Sequence, residues 1–386
     1  MPTAASIDPG VVLEALAQRA DGAAVLAARA RGAAVVGGFV RDTLIGIPPR
    51  EVDVVVEGDA EGFARELGGV VTIHAAFGTA RAERDGWSID VAAARSERYP
   101  QPGALPVVAP ASLEQDLGRR DFAVNALAVT IDDGELLAVA GALEDLSEQR
   151  LRVLHDRSFL DDPTRVMRLA RYAHRLGFSV EPHTAALARA ARLDTVSGAR
   201  IGAELRLALA ERDPLAPLSD LSGKLPIVID RRLVESALAL APPDASRELV
   251  ILAAITREIA PPDWIAELEL TAHERDVVLA AANAAQIADA IEQAVSASSL
   301  HDALKDVPPE VVAIAGGLGP TAAARRWLEE LRHVRLEIGG DDLIAAGIPS
   351  GPELGARLER TLRRKLDGQL AGGRRAELVS ALGDAS

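Results

Sequence analysis

The sequence predicts an α+β protein: a small mixed α/β head followed by an all-helical neck, body and tail. Three observations predict it. Short β-rich runs bounded by Gly, Asp or Pro stop near residue 150, and after that point nearly every segment is rich in Ala, Leu, Arg and Glu at helical spacing. Aromatics are only 3% of a chain that is 48% hydrophobic, so Ala and Leu dominate, and both favour helix. At 386 residues the chain exceeds one ordinary domain. The expected division is a head over residues 1–150, a helical neck over 151–215, and a helical body and tail over 216–386.

Within the head, Ala33–Val36, Val52–Val56, Val70–His74 and Trp87–Val91 read as strands, being short and apolar. Asp59–Leu67 reads as a helix opened by an Asp cap. Tyr99–Ser112 (YPQPGALPVVAPAS) is rich in proline and reads as an extended loop, either a lid or a plain connector. Pro106, Pro110, Pro163, Pro214, Pro217 and Pro320 mark loops or helix starts.

The absence of cysteine excludes disulfides, thiolate zinc sites and cysteine nucleophiles, and fits a cytoplasmic protein. No apolar stretch is long enough to span a bilayer. Met1 to Gly10 lacks a basic start followed by an apolar core, so no secretory signal and no membrane partner are expected. The net charge of −15 counts against a nucleic-acid binder. Basic residues nevertheless crowd two C-terminal segments: Arg325, Arg326, Arg332 and Arg335, then Arg357, Arg360, Arg363, Arg364, Lys365, Arg374 and Arg375. Solvated helix faces explain each cluster as readily as an RNA contact does. Oligomeric state is not legible in the sequence.

The most informative stretch is Ala34 to Asp59, AVVGGFVRDTLIGIPPREVDVVVEGD. An apolar strand runs into Gly37-Gly38 and a helix follows. Two glycines let backbone approach a ligand closely, and a helix start suits phosphate. Arg41 adds a cation one turn in. The pattern lacks both the G-x-G-x-x-G spacing of a dinucleotide site and the lysine of a P-loop. Glu51 and Asp53, two apart in a strand, project carboxylates from one face. Such a pair resists burial unless a cation joins it, and hard oxygen ligands suit Mg²⁺. Asp90, in WSIDV, is a candidate third carboxylate, with an ordinary strand acid as the alternative. Asp162, Arg165, Arg168 and Arg171 stand three apart, so consecutive members lie on nearly one helical face.

GGFVRD followed by EVDVVVEGDA resembles the signature of the DNA polymerase β-like nucleotidyltransferases, specifically the class II CCA-adding transfer-RNA nucleotidyltransferases and poly(A) polymerases. Other blocks resemble that family in order: FGTA (Phe77 to Ala80), the Ile89 to Pro106 segment, DLGRRDFAVNALAV (Asp116 to Val129), the Leu151 to Phe178 helix block, VSGARIGAEL (Val196 to Leu205), and Gly340 to Gly368. The resemblance implies that Gly37, Gly38 and Arg41 hold the incoming triphosphate and that Glu51 and Asp53 hold Mg²⁺, with Asp90 as a further catalytic carboxylate. It implies that Arg119, Arg120 and Asn125 contact the triphosphate or ribose. Asp162 with Arg165 would read the amino-donor and ring-nitrogen edge shared by C and A, with Arg168 and Arg171 supporting the phosphates or the Asp162–Arg165 geometry. The implied partners are transfer RNA, CTP and ATP. A-adding, CC-adding and poly(A) activities share these blocks. Glu51 stands where the family usually has Asp, a departure that points to weakened or specialised chemistry, or to an RNA-binding homologue.

Overall fold

The structure, a computed structural model, describes residues 8–28, 32–74, 78–370 and 372–383. Phe77 of the FGTA block and Met1 to Ile7 of the leader reading lie outside them. The chain falls into two compact units, Met1–Glu204 and Leu205–Ser386.

The first unit is built on a seven-stranded sheet. Its strands, with a neighbouring hairpin, are β1 (Ala33–Val36), β2 (Asp53–Val56), β3 (Val70–His74), β4 (Thr79–Arg84), β5 (Trp87–Ala93), β6 (Arg95–Arg98), β7 (Val107–Pro110), β8 (Leu127–Thr130) and β9 (Leu136–Ala138). The sheet order is β3-β4-β5-β2-β1-β8-β9. All its pairs are antiparallel except β2 with β5. β1, β2 and β8 are almost wholly buried, as their unbroken apolar runs require. β4 (TARAER) buries Ala80 and Ala82 and exposes Arg81 and Glu83, a period-two alternation in which alanine supplies the apolar face. The helix Ala60–Leu67 covers one side with Phe63, Ala64 and Leu67, and Asp59 caps it by accepting from the Gly62 N–H at 2.8 Å. On the other side the helix Leu113–Gly118 packs Leu113 and Leu117 onto Val36, Val55 and Ala128.

Two expectations need correction here. Tyr99–Ser112 is not all loop: β7 within it pairs antiparallel with β6. Its proline bend is held by the Arg200 guanidinium, which donates to the Gly103 carbonyl at 3.0 Å. β2 begins at Asp53, one residue later than expected. Continuing the β1–β2 register would set Val52 opposite Gly37, where β1 has already turned away into a helix, so nothing is left there for Val52 to pair with. Beyond residue 150 one small strand pair interrupts the helices, β10 (Arg150–Leu151) parallel to β11 (Ser179–Val180). The helix Arg165–Leu176 buries Val166, Met167, Leu169 and Ala170 along one stripe.

The second unit is helical among its described residues. Its core centres on the helix Pro309–Gly317, where Val311, Val312, Ala313, Ile314 and Ala315 are fully buried. A Cβ on Gly316 would fall 2.4 Å from that of Ala324, so the glycine is what permits the helices to cross there. The basic C-terminal segment meets acids within the unit: Arg363 pairs with Asp302 at 2.9 Å, Lys365 with buried Glu377 at 2.6 Å, and Arg374 with Asp342. No described helix is long and apolar enough to cross a membrane.

Candidate active site

β1 leaves the sheet at Gly37, whose φ of +65° is a conformation that glycine adopts without a Cβ penalty. Its N–H donates to the Leu127 carbonyl at 2.9 Å, which ties the turn to β8. A Cβ on Gly37 would lie 2.8 Å from Arg120 Nη1, so the turn also makes room for that guanidinium.

Asp53 and Asp90 are register partners in the parallel β2–β5 pair. Their side chains therefore leave the same face, with strands about 5 Å apart. Glu51 departs from the expectation: it lies before the strand and is exposed, instead of sharing a pleat with Asp53. It is still close enough for its charge to act. Burial pushes the Asp53 carboxyl up to about 6, and the charges of Glu51 and Asp90 push in the same direction. The Arg120 and Arg168 guanidiniums pull it back only in part. Asp90 is met by Arg81, which donates from Nε at 2.7 Å and from Nη2 at 2.8 Å in a fork. A cleft of about 700 Å³ contains Asp53, Asp90, Arg81, Arg119, Arg120, Thr72 and His74.

Among the described residues no three His, Asp or Glu form a ready metal cage. The donor set still fits a small divalent cation. Mg²⁺ is typically held by one or two carboxylates, with water and substrate phosphates completing its shell. Asp53 and Asp90 offer two such oxygens on one face, and burial, with the neighbouring Glu51 and Asp90 charges, pushes the Asp53 carboxyl up, an environment that a bound cation would relieve.

Arg119 and Arg120 approach the cleft from the loop before β8, anchored on buried Asp116. Arg119 donates to its Oδ1 at 2.7 Å and Arg120 to its Oδ2 at 3.1 Å. Arg119 also donates to Glu97 Oε1 at 2.8 Å. The Arg120 Nε is buried without a hydrogen-bond partner.

Arg41, Asn125 and Arg165 are placed differently from the expectation of direct nucleotide contacts, while Arg168 and Arg171, expected in support, meet acids of the protein. Arg41 is 1% exposed, forks onto Asp42 and donates to Asn125 Oδ1. Asn125 donates in turn to Asp121 at 2.9 Å. Asp121 also accepts from Arg168 Nε at 2.8 Å, and these charge-assisted bonds hold its carboxyl down at about 2 although it is buried. Arg168 and Arg171 both reach Glu204. The Tyr172 ring lies among three guanidiniums, 5.2 Å from Arg41, 5.5 Å from Arg168 and 4.8 Å from Arg171, with Phe122 edge-on at 6.0 Å. Asp162 precedes its helix, which begins at Arg165, so the two do not share a helical face as spacing suggested. Pro163 stands between them and fits a helix start, not a helix interior. Asp162 Oδ1 accepts from Thr164 and from Arg200 Nη2 at 2.6 Å. Arg165 is buried and donates to Ser158 Oγ at 2.8 Å and to the Arg119 carbonyl at 2.7 Å.

The cleft thus brings together Asp53, Asp90, Arg119, Arg120 and the Gly37 turn, with Glu51 at its mouth, while Arg41, Asn125, Arg165 and Arg171 form the buried frame behind it and the partly exposed Arg168 joins that frame through Asp121. Sequence reasoning passed over Asp116, Asp121, Glu97, Arg81 and Tyr172. Two carried a signal: Asp116 lies three and four residues before the arginines it holds, and Tyr172 lies four after Arg168.

Residues 33–152 match the poly A polymerase head domain. The fold and cleft therefore define a nucleotidyltransferase head. Over 87% of its length the chain is 35% identical to the A-adding tRNA nucleotidyltransferase of Geobacter sulfurreducens, covering 43% of that protein. It is 27% identical to the CCA-adding enzyme of Limosilactobacillus fermentum over 87% of this chain and 89% of the relative. The Thermotoga maritima CCA-adding enzyme complexed with tRNA_CCA superposes with a TM-score of 0.73 at 26% identity, over 97% of this chain and 98% of that one. The chain belongs to the class II CCA-adding enzyme family. It spans a quarter to a half of the length of the first curated relatives it matches.

Proposed function

We propose that this protein adds C and A nucleotides from CTP and ATP, without a template, to the 3′ end of transfer RNA. In this reading residues 1–150 are the catalytic head, 151–215 the nucleotide-recognition neck and 216–386 the RNA-binding body and tail. The observation that carries it is the same-face pair Asp53 and Asp90, with the Asp53 carboxyl pushed up to about 6, beside Arg120 and the Gly37 turn. The acceptor O3′ forms a bond to the α-phosphorus as the bond from that phosphorus to the β-phosphate bridging oxygen breaks, releasing pyrophosphate. The hydroxyl proton passes to the Asp53–Asp90 pair. Arg119 and Arg120 neutralise the departing phosphates, and Asp116 fixes their forks. Glu51, Asp53 and Asp90 would hold Mg²⁺, which supplies positive charge to the reacting oxygens. Asp162 offers an acceptor to the exocyclic amino group that cytosine and adenine share, while Arg165 steadies the Arg119 backbone.

The test is incubation with Mg²⁺ and CTP, ATP or both, on transfer RNAs ending before the first C, after one C and after CC. Extension by CCA supports full addition. Extension of the CC-ended substrate alone defines an A-adding enzyme, addition of two C residues a CC-adding one, and long A tails a poly(A) polymerase. The position of Glu51, exposed and outside the strand, favours one second reading, an RNA-binding homologue with weakened chemistry. Binding of transfer RNA without incorporation, with extension restored by Glu51→Asp, would establish it.

A further inference from the structure

The sheet register places four side chains in one line. Thr72 on β3 opposes Arg81 on β4, Arg81 opposes Asp90 on β5, and Asp90 opposes Asp53 on β2. Register partners project to the same face, and all four line the cleft. The cations suited to a triphosphate stand on the other flank of Asp53: β1 is its neighbour there, ending at Gly37, against which Arg120 rests. Nucleotidyl transfer needs the attacking and leaving oxygens roughly in line through phosphorus. With pyrophosphate leaving toward Gly37 and Arg120, the attacking hydroxyl must arrive over β5 and β4. There the floor offers one guanidinium, Arg81, with the Thr72 hydroxyl beside it and His74 and Thr79, themselves register partners, two residues along.

Resting on the nucleotidyl-transfer reading, we infer that Thr72 and Arg81 form the subsite for the acceptor's terminal nucleotide, with Arg81 taking its phosphodiester. In the free head Arg81 forks onto Asp90, and both side chains are about half exposed, at 48% and 50%. An exposed pair of this kind is weak, so the guanidinium can exchange one anion for another. A phosphodiester presents the same paired oxygens as the carboxylate. The exchange also frees Asp90 when an acceptor arrives. Glu83, two residues along β4 on the same face, ends the basic surface, so the subsite takes one phosphate and not a run of them.

Two measurements on the full chain test this. In steady-state extension of a 3′-truncated transfer RNA, Arg81→Gln raises the acceptor KM about tenfold, as loss of one forked charge-assisted contact requires, and leaves the nucleotide KM within about twofold. Arg81→Lys falls between, and Arg84→Gln, on the opposite face, changes neither. An unchanged acceptor KM, or equal rises in both KM values, overturns the inference. Independently of turnover, a 4-thiouridine at the 3′ terminus of that RNA should photo-crosslink to Thr72–His74 or Thr79–Glu83. Crosslinks confined to residues 116–125 overturn it. A wild-type chain that crosslinks there but incorporates nothing refutes the transfer reading and leaves the subsite standing.

Discussion

Substitution of Asp121 by Asn tests the frame behind the cleft. The Asp121 carboxylate is buried and accepts three bonds: from Arg168 Nε at 2.8 Å on one oxygen, and from the Phe122 N–H at 2.8 Å and the Asn125 amide at 2.9 Å on the other. Asparagine keeps the shape but offers one acceptor. Whichever way its amide turns, the NH₂ faces a donor. The fall of the carboxyl from 3.8 to about 2 corresponds to about 2 kcal/mol of stability at neutral pH. The lost acceptor adds roughly 1 kcal/mol. The total, about 3 kcal/mol, should lower the melting temperature of a unit of this size by roughly 6–12 °C. Because the folded value is depressed, the stabilisation is complete above the unfolded value near 4 and is lost as pH falls toward 2. About half of this stabilisation should be gone by pH 3. Calorimetry of wild type and Asp121→Asn at pH 7 and pH 3, following the transition of the Met1–Glu204 unit, measures both. A variant gap that is absent at pH 7, or no smaller at pH 3, refutes the reasoning.

Asp53 has the opposite sign. Its folded carboxyl is raised to about 6, so stability is greatest below the unfolded value and falls as pH rises through 6. Asp53→Asn should therefore melt higher than wild type at pH 7.5 while extending no acceptor, and the melting gap should shrink to roughly half at pH 5 and close only below about pH 4; a lower melting temperature at pH 7.5 would contradict this. Protons should compete with divalent cation at the same carboxylate, so Mn²⁺ binding followed by electron paramagnetic resonance should weaken as pH drops below 6, and constant affinity from pH 7 to 5 would count against the assignment. Gly37→Ala combines a positive φ with a 2.8 Å contact to Arg120. It should raise the nucleotide KM at least tenfold while the acceptor KM holds, and an unchanged nucleotide KM would remove the turn from the triphosphate site. Glu51→Gln should weaken Mn²⁺ binding several-fold, less than Asp53→Asn does, because Glu51 lies at the exposed mouth; equal losses would place it deeper than described.

The head was legible where one chemical pattern had one structural solution. An unbroken apolar run gave β1 its limits, a β-branched run, VVTI, marked β3, and the Asp59 cap marked the start of its helix. β4 was harder to read because alanine, a good helix former, supplies its buried face. The two prolines and Arg50 before Glu51 gave no hint that β1 would leave the sheet at Gly37 and deprive residue 52 of a partner. At the site, residue types and order pointed to Asp53, Arg119 and Arg120, which the cleft gathers. The adjacency of Asp90 depended on strand pairing, which spacing does not encode. The regular interval from Asp162 to Arg171 suggested one continuous face toward ligand, yet the helix starts only at Arg165 and turns its guanidiniums inward, onto Asp121, Glu204 and Tyr172. Periodicity identifies a shared face but not which side of it meets solvent.

A single phenol clasped by Arg41, Arg168 and Arg171 has a mechanical consequence. Arg41 belongs to the helix that follows the glycine turn, and the other two belong to the long helix beyond residue 164. Tyr172 rides on that long helix too, so a relative shift of the two helices would strip Arg41 from the ring and break the Arg175–Asp42 pair at 2.9 Å, and these two contacts couple their movement. In the proposed reading, in which one pocket takes both cytosine and adenine, coupling of these helices leaves adjustment between the two bases to lighter parts: the rotamer of Asp162, or the bend at Gly103 that Arg200 tethers.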